Sequence, residues 1–135
     1  YSAAEPGWWS ARVLDHIAPQ SRCEAASLSA RLGIAADRLE EAVTHLSTGE
    51  RQRLALVRAL VAHPPVLLLD EPTGALDEAT TRQVETVLGE QLAAGTTLIL
   101  VTHSREQAER LGQRHLRMEA RHLLGREQHH PTASP

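Results

Sequence analysis

Residues 46–77 read LSTGERQRLALVRALVAHPPVLLLDEPTGALD, and this stretch decides the fold. Its apolar spacing predicts a helix near 50–62, and the continuous apolar run at 66–69 is typical of a strand buried on both faces. Asp70 and Glu71 follow that strand directly. Because ligands of open α/β sheets lie beyond the carboxyl ends of the strands, we expect the chemistry of the protein at this pair.

The rest of the chain divides into a helical region and an alternating region. Residues 11–45 carry short helical patterns separated by Pro19 and Gly33, which predicts a small helical subdomain. Its helices are predicted at 12–18, 23–32 and 36–46. From residue 47 onward helices and strands alternate, which predicts an α/β fold built on a largely parallel sheet. Further helices are predicted at 78–93 and 104–111, and further strands at 96–101, 115–118 and 122–124.

The composition of the 135 residues limits the possible functions. A net charge of -3 gives no reason to expect nucleic acid as a partner, because phosphate backbones bind basic faces. A single cysteine excludes an intrachain disulfide and fits a reducing compartment, and no segment resembles a membrane span or a secretion signal. All 14 basic residues are arginine, so these residues contain no phosphate-binding loop of the G-x-x-x-x-G-K-[ST] type.

The acidic pair has two interpretations. In the functional one, Asp70 holds Mg²⁺, directly or through water, and Glu71 polarises a water for attack on a phosphoryl group. In the structural one, the two carboxylates solvate the end of the strand and cap the turn at 72–74. A motif this short does not decide between them.

Two helix starts in the same stretch also have two interpretations. Ser47 and Glu50 form an S-x-x-E pattern, which predicts a capping box. A helix N-terminus where Gly49 allows close approach is also an anion site, and Ser47 could then donate a hydrogen bond to a phosphate oxygen brought by another subunit. For Asp77, the structural interpretation is the N-cap of the helix at 78–93.

His103 follows the apolar run TTLILV, again at the carboxyl end of a predicted strand. A neutral imidazole at that edge could hydrogen-bond a terminal phosphate. In the structural alternative, Ser104 and Gln107 form a second capping box that accounts for the surrounding residues without any role for His103.

These elements stand in the order of the motifs of ATP-binding cassette (ABC) ATPases. LSTGE followed by RQR resembles the signature motif of that family, and VLLLDE resembles its Walker B strand. ALD at 75–77 is similar to the D-loop, and THS at 102–104 is similar to the segment with the switch histidine. YSAAEPGWW followed by ARVLDHI is similar to the Q-loop and the start of the helical subdomain, so the resemblance covers nearly the whole chain.

The resemblance implies a P-loop NTPase-like parallel sheet with flanking helices, and a head-to-tail dimer with two ATP molecules at its interface. Each ATP would lie between the phosphate loop of one subunit and the signature helix of the other. The implied roles are binding of the partner's ATP by Ser47, Thr48, Gly49 and Glu50, Mg²⁺ binding by Asp70, catalysis by Glu71, communication across the interface by Asp77 and sensing of the γ-phosphate by His103.

The resemblance also divides the chain and shows where it departs from the family. The segments are a Q-loop-like segment at 1–10, the helical subdomain at 11–45, the signature-to-switch part of the ATPase core at 46–125 and a tail at 126–135 that we expect to be disordered. The phosphate loop would precede Tyr1, so we expect a fold truncated at its N-terminus and a longer native chain. Ala4 stands where the Q-loop glutamine is expected, and Thr48 replaces the commoner glycine.

Trp8 and Trp9 follow the Q-loop-like segment, where transporter members of the family accept a helix of an integral membrane permease. Adjacent tryptophans can anchor such an interface. The alternative is that they cover the core of the helical subdomain. A permease partner implies a cytoplasmic protein that binds peripherally to the inner face of the plasma membrane.

Three functions are compatible with the sequence. The first is the ATP-binding and ATP-hydrolysing subunit of an ABC transporter. The second is a non-enzymatic remnant or regulatory half that supplies only the signature face to a complete partner. The third, a non-transport ABC protein of translation or DNA repair, would need long basic or coiled-coil insertions, which the sequence lacks. We expect the 135 residues alone to bind no MgATP, because the residues that grip the β- and γ-phosphates are missing.

Overall fold

The computed structural model of the chain describes residues 7–119 and 122–125, which form an α/β fold. Its helices are α1 (Arg22–Arg31), α2 (Thr48–Leu60), α3 (Glu78–Ala93) and α4 (Arg105–Leu111), and its strands are β1 (Val66–Asp70), β2 (Thr97–Val101), β3 (Leu116–Glu119) and β4 (His122–Gly125). The first six residues of the Q-loop-like segment and the tail at 126–135 lie outside the described residues. No helix in the described part of the chain is long and apolar enough to cross a membrane.

The strands form two small sheets. β1 and β2 pair in parallel, with Asp70 opposite Val101, which confirms the predicted parallel arrangement. β3 and β4 pair in antiparallel fashion, with Leu116 opposite Gly125. Because β1 and β2 run in the same direction, the residues that follow each strand meet at one edge of the sheet.

The two faces of β1 differ in burial. Leu67 and Leu69 are each 1% exposed and join one hydrophobic cluster with apolar residues of α2 and α3. Val66 and Leu68 are 48% and 40% exposed. The prediction of a strand buried on both faces is therefore wrong for the described residues. Successive side chains of a strand point to opposite faces, and the cluster covers only one of them.

The two long helices agree with the sequence patterns. The predicted apolar face of α2 is buried, with Leu54, Val57 and Val61 at most 7% exposed. Helix α3 occupies the predicted residues 78–93. It is followed by Gly95, whose φ of +97° lies in the left-handed region that glycine adopts without strain.

The region 11–45 contains one α-helix where three helices were predicted. α1 matches the second of them within one residue. The other two predictions are wrong, because residues 12–18 form only a short 3₁₀ turn at Val13–His16, and residues 36–46 form two, at Ala36–Leu39 and Val43–His45; a further 3₁₀ turn at Pro19–Ser21 lies between the predicted helices. None of these turns begins with a side-chain cap, and helices this short do not repay the cost of nucleation.

Candidate functional site

The structure brings Glu71 and His103 into contact at the carboxyl edge of the parallel strands. The His103 backbone N–H donates to Glu71 Oε1 at 2.8 Å, and His103 Nδ1 lies 2.8 Å from the same oxygen. The Glu71 N–H in turn donates to the carbonyl of Val101 at 2.9 Å. The Glu71 side chain is 28% exposed and that of His103 is 83% exposed. The carboxylate is thus oriented by the neighbouring strand end while remaining accessible to a ligand.

The backbone of Glu71 is strained. Its φ is +46°, in the left-handed region that residues other than glycine rarely adopt, and this costs on the order of 1 kcal/mol. Two donors fix its carbonyl oxygen: the Gly74 N–H at 3.2 Å and Gln52 Nε2 at 2.6 Å. Strained residues of this kind persist where the surrounding structure fixes them, and they concentrate at active sites.

Sequence reasoning missed two glutamines that contact the turn at 71–74. Gln52 of α2 reaches the Glu71 carbonyl, and Gln107 of α4 donates through Nε2 to Thr73 Oγ1 at 2.9 Å. The sequence signal for both contacts was a polar residue on the predicted buried face of a helix. At Gln107, the capping-box pattern with Ser104 offered another explanation for the polar side chain.

The second predicted capping box forms only in part. Ser104 Oγ accepts a bond from the Gln107 N–H at 3.3 Å, so Ser104 is the N-cap of α4. The reciprocal bond is absent among the described residues, because the Gln107 side chain turns inward to Thr73 and the Ser104 N–H bonds instead to Thr102 Oγ1. That half of the prediction is wrong.

Asp70 is the last residue of β1 and is half-buried. Within the described residues its carboxylate makes no hydrogen bond or ion pair, and no group of three or more His, Cys, Asp or Glu side chains could hold a metal ion. Mg²⁺ bound with a nucleotide uses one or two protein carboxylates together with phosphate oxygens and water. A single unpartnered carboxylate at this edge therefore fits Mg²⁺ held together with a phosphorylated ligand.

The predicted capping box at the start of α2 is confirmed. Ser47 Oγ accepts from the Glu50 N–H at 3.2 Å, and the Ser47 N–H donates to Glu50 Oε2 at 2.8 Å. This bond from the Ser47 backbone lowers the pKa of the Glu50 carboxyl, and an ion pair with Arg38 at 3.3 Å adds to the effect. A hydrogen bond from the Ser47 side chain also contributes to the lowered pKa of Glu50, so the hydroxyl takes part in the capping box.

Gly49 packs closely on a neighbouring segment of this chain. A Cβ at this position would lie 3.2 Å from Leu76 Cδ2 and 3.6 Å from the Ala75 carbonyl oxygen. The start of α2 therefore packs closely on the segment 75–77. The neighbouring Thr48 is exposed, and its Oγ1 accepts a bond from Arg51 Nη2 at 3.3 Å.

Asp77 is the N-cap of α3, as the structural interpretation predicts. Its carboxylate accepts bonds from the Thr80 N–H at 2.9 Å and from Thr80 Oγ1 at 3.0 Å. The bond from the Thr80 backbone N–H is the main reason why the pKa of Asp77 is lowered. No hydrogen bond or ion pair joins Asp77 to Glu71 or His103 in the described part of the chain.

The two tryptophans have different environments. Trp8 is half-buried against the core, and the guanidinium of Arg58 lies 4.8 Å from its ring centroid. His16 packs edge-on to Trp8 at 4.9 Å and contacts Trp9 at 4.4 Å between ring centroids. Trp9 is 76% exposed. Trp8 thus packs against the core, as the alternative interpretation predicts, whereas Trp9 presents most of its ring to solvent.

Comparisons with known proteins agree with this arrangement. The profile described as ABC transporter matches residues 4–74. The aliphatic sulfonates import ATP-binding protein SsuB of Cupriavidus necator is 48% identical over 109 residues, which are 76% of this chain and 35% of that protein. The lipoprotein-releasing system ATP-binding protein LolD of Nitratidesulfovibrio vulgaris is 50% identical over 95 residues, which are 70% of this chain and 40% of that protein.

Solved structures give the same result. The ATP-binding cassette MJ0796, determined as a dimer in a post-hydrolysis state with ADP and Pi, matches with a TM-score of 0.62 and 29% identity over 73% of this chain and 43% of that chain. An ABC transporter in an inward-facing conformation has the same fold, with a TM-score of 0.73 and 24% identity over 93% of this chain and 56% of that chain.

The coverage and the family follow from these matches. The chain spans 35% and 40% of the lengths of the SsuB and LolD relatives. The profile match includes more than half of the 135 residues, and both relatives are named as ATP-binding proteins. The resemblance found in the motifs is confirmed: this chain belongs to the ABC transporter family, among its ATP-binding proteins.

Proposed function

We propose that this chain is the signature and Walker B part of an ATP-hydrolysing subunit of an ABC transporter, which drives transport through ATP-dependent dimerisation. The observation that carries the proposal is the contact of Glu71 with His103 at the carboxyl edge of β1 and β2. A partly exposed carboxylate, oriented by an imidazole and a backbone N–H, is suited to activating water at a phosphoryl group.

The two oxygens of the Glu71 carboxylate have different roles in this proposal. Oε1 accepts the hydrogen bond from the His103 backbone N–H and lies 2.8 Å from His103 Nδ1, whereas Oε2 accepts no hydrogen bond within the described residues. Oε2 is the oxygen that would take a proton from the attacking water. A neutral imidazole has one N–H and one acceptor nitrogen, so the exposed ring of His103 is suited to hydrogen-bonding a γ-phosphate oxygen.

Asp70 is the residue proposed to hold Mg²⁺, directly or through water. Its carboxylate is unpartnered among the described residues. Asp70 ends β1, and the paired strand β2 ends two residues before His103. Mg²⁺, when bound, neutralises charge on the β- and γ-phosphate oxygens. The sequence contains no lysine, so we propose that the phosphates are gripped by residues outside this sequence.

The start of α2 is proposed to face the ATP of a partner subunit in a head-to-tail dimer. Ser47 is the N-cap of a helix of 13 residues, which directs its first N–H groups toward the same side. Thr48, Gly49 and Glu50 complete that surface. Asp77 lies on the adjoining segment and is proposed to contact the partner subunit.

A membrane permease is the second proposed partner. We assign the contact to Trp9, because its ring is 76% exposed while Trp8 packs against the core. Both similar proteins carry import or release in their names, which supports a transport role. In this proposal the subunit works on the cytoplasmic face of the membrane. The regulatory alternative has no specific observation in its favour and is an outcome of the test below.

The test is hydrolysis by a complete subunit that carries this sequence together with a phosphate-binding loop. Glu71→Gln should lower kcat at least about 100-fold, because it removes the general base, and should leave ATP affinity unchanged. Glu78→Gln is the matched control, because its side chain is 87% exposed and should have no effect. Full activity of Glu71→Gln would show that Glu71 is not the catalytic base. A native protein that hydrolyses no ATP yet raises the turnover of a complete partner would favour the regulatory alternative.

A further inference from the structure

The turn at 71–74 is held from both sides by buried glutamine side chains. Gln52 is 5% exposed and donates from Nε2 to the Glu71 carbonyl at 2.6 Å. Gln107 is 1% exposed and donates from Nε2 to Thr73 Oγ1 at 2.9 Å and, at the longer distance of 3.5 Å, to Glu85 Oε1. The two residues come from different helices, α2 and α4, and lie 55 positions apart in the sequence (52 to 107). Neither residue contacts the other in the described hydrogen bonds.

Both glutamines leave a polar atom unsatisfied. Among the described residues, Oε1 of Gln52 and Oε1 of Gln107 are buried and accept no hydrogen bond. Burying an unpaired acceptor opposes folding, so an apolar side chain of the same size would fill either position at lower cost. Space filling therefore does not explain why amide side chains occupy these positions. Their donor atoms offer an explanation, because each of them bonds to the turn that carries Glu71.

The turn at 71–74 has a strained backbone at Glu71. Glu71 adopts φ +46°, and in this conformation its carboxylate reaches the N–H and the ring of His103. The Glu71 carbonyl also accepts a bond from the Gly74 N–H, but at 3.2 Å this bond is longer than the 2.6 Å bond from Gln52. A left-handed glutamate relaxes readily unless the surrounding structure fixes its peptide.

We propose that Gln52 and Gln107 are positioning residues for Glu71, whose side-chain amides fix the turn at 71–74 so that the carboxylate faces His103. The consequence for rate rests on the proposed function, whereas the consequence for the turn does not. α2 begins at Thr48, after its N-cap Ser47, and α4 begins at Arg105, two residues after His103. The turn is therefore attached to the helix proposed to meet the partner's ATP and to the helix that follows the switch histidine.

The first arm of the test measures the turn and needs no nucleotide. Gln52→Met and Gln107→Met remove the donors with little change in volume, and Gln83→Met, at an exposed site on α3, is the matched control. Amide hydrogen exchange of the complete subunit, followed in peptides that contain 71–74 and 102–104, should be faster by about 10-fold in both test variants. Their melting temperatures should stay at or above that of the control, because the unsatisfied Oε1 atoms are also removed.

The second arm measures rate. In a subunit that hydrolyses ATP, Gln52→Met should lower kcat about 10-fold or more while the KM for ATP stays unchanged, because the phosphate-gripping residues are untouched. Val57→Ala, a substitution in the buried face of α2, lowers stability without removing a bond to the turn and should leave kcat per folded molecule unchanged.

Three results would overturn the inference. The first is unchanged exchange at 71–74 in both Gln→Met variants, and the second is faster exchange with an unchanged kcat. The third is a loss of protection spread over all of α2 and β1 together with a lower melting temperature, which would mean that the glutamines only support packing. If the wild-type subunit hydrolyses no ATP, the proposed function fails and the exchange arm alone decides the inference.

Discussion

The two loops of the proposed ATP site are stabilised in opposite ways. At the start of α2, Ser47 and Glu50 bond to each other across three residues. The turn at 71–74 is bonded by residues 19, 32 and 34 positions away, through Gln52, His103 and Gln107. The first loop forms wherever its helix forms. The second has its functional geometry only when α2, α4 and β2 have packed together, so substitutions at a distance should affect it more.

The largest effect on stability should come from the charge pair behind Gln107. Arg110 donates to the Glu85 carboxylate at 2.7 and 2.6 Å, and Glu85 is 7% exposed. Arg110→Ala leaves that carboxylate without its charged partner, beside only the 3.5 Å contact from Gln107 Nε2, and should lower the free energy of unfolding several times more than the control below. Denaturant unfolding of the two proteins measures this change in the free energy of unfolding. Arg105→Ala is the control, because its ion pair with Glu109 is exposed and should contribute under about 0.5 kcal/mol. Equal effects of the two variants would mean that the turn has no special dependence on the packed core.

Ser47 should show an intermediate effect on stability and a separate effect on function. Ser47→Ala removes the N-cap and should cost about 1 kcal/mol. Ser47→Asp keeps an N-cap acceptor, so stability should be unchanged, but it places a negative charge where the partner's phosphate is proposed to lie. The measurements are thermal unfolding and ATP hydrolysis of the complete subunit. Normal hydrolysis by a stable Ser47→Asp variant would exclude a phosphate from this helix start.

The smallest effect should be the pH dependence of the capping box. Hydrogen bonding to Ser47 holds the pKa of Glu50 below its ordinary value of 4.5 in the folded chain. The folded state therefore binds this proton more weakly than the unfolded state, and the stabilisation is present above pH 4.5 and lost as the pH falls through the lowered value. Glu50→Gln should be less stable than wild type by under about 1 kcal/mol at neutral pH. The difference in melting temperature should shrink on acidification, and a constant difference from neutral pH down to acid would contradict this account.

The local features of the fold were predictable from sequence. Periodicity and flanking residues gave α2 and α3, and the patterns beginning at Ser47 and Asp77 gave their N-caps. The pairing of Glu71 with His103 was predictable only in outline, because the rule for parallel strands places both at one edge without fixing a contact.

The rest could not be predicted, because it depends on contacts between distant segments. The left-handed conformation of Glu71 has no local signal, since its amide and carbonyl are bonded from β2 and α2. Gln52 lies in the signature-like motif, in which the predicted roles were assigned to residues 47–50. The prediction that β1 is buried on both faces assumed layers on each side of the sheet, and in the described residues Val66 and Leu68 remain exposed.

The most direct test of the central claim is a complementation assay with two variants of the complete subunit, Glu71→Gln and Ser47→Asp. Each should be inactive by itself, the first at its own ATP and the second toward its partner's ATP. A mixed dimer, purified through two different tags, has one site in which an intact Glu71 meets an intact Ser47 of the other subunit. The account predicts that the mixed dimer regains ATP hydrolysis. A mixed dimer as inactive as either parent would contradict it.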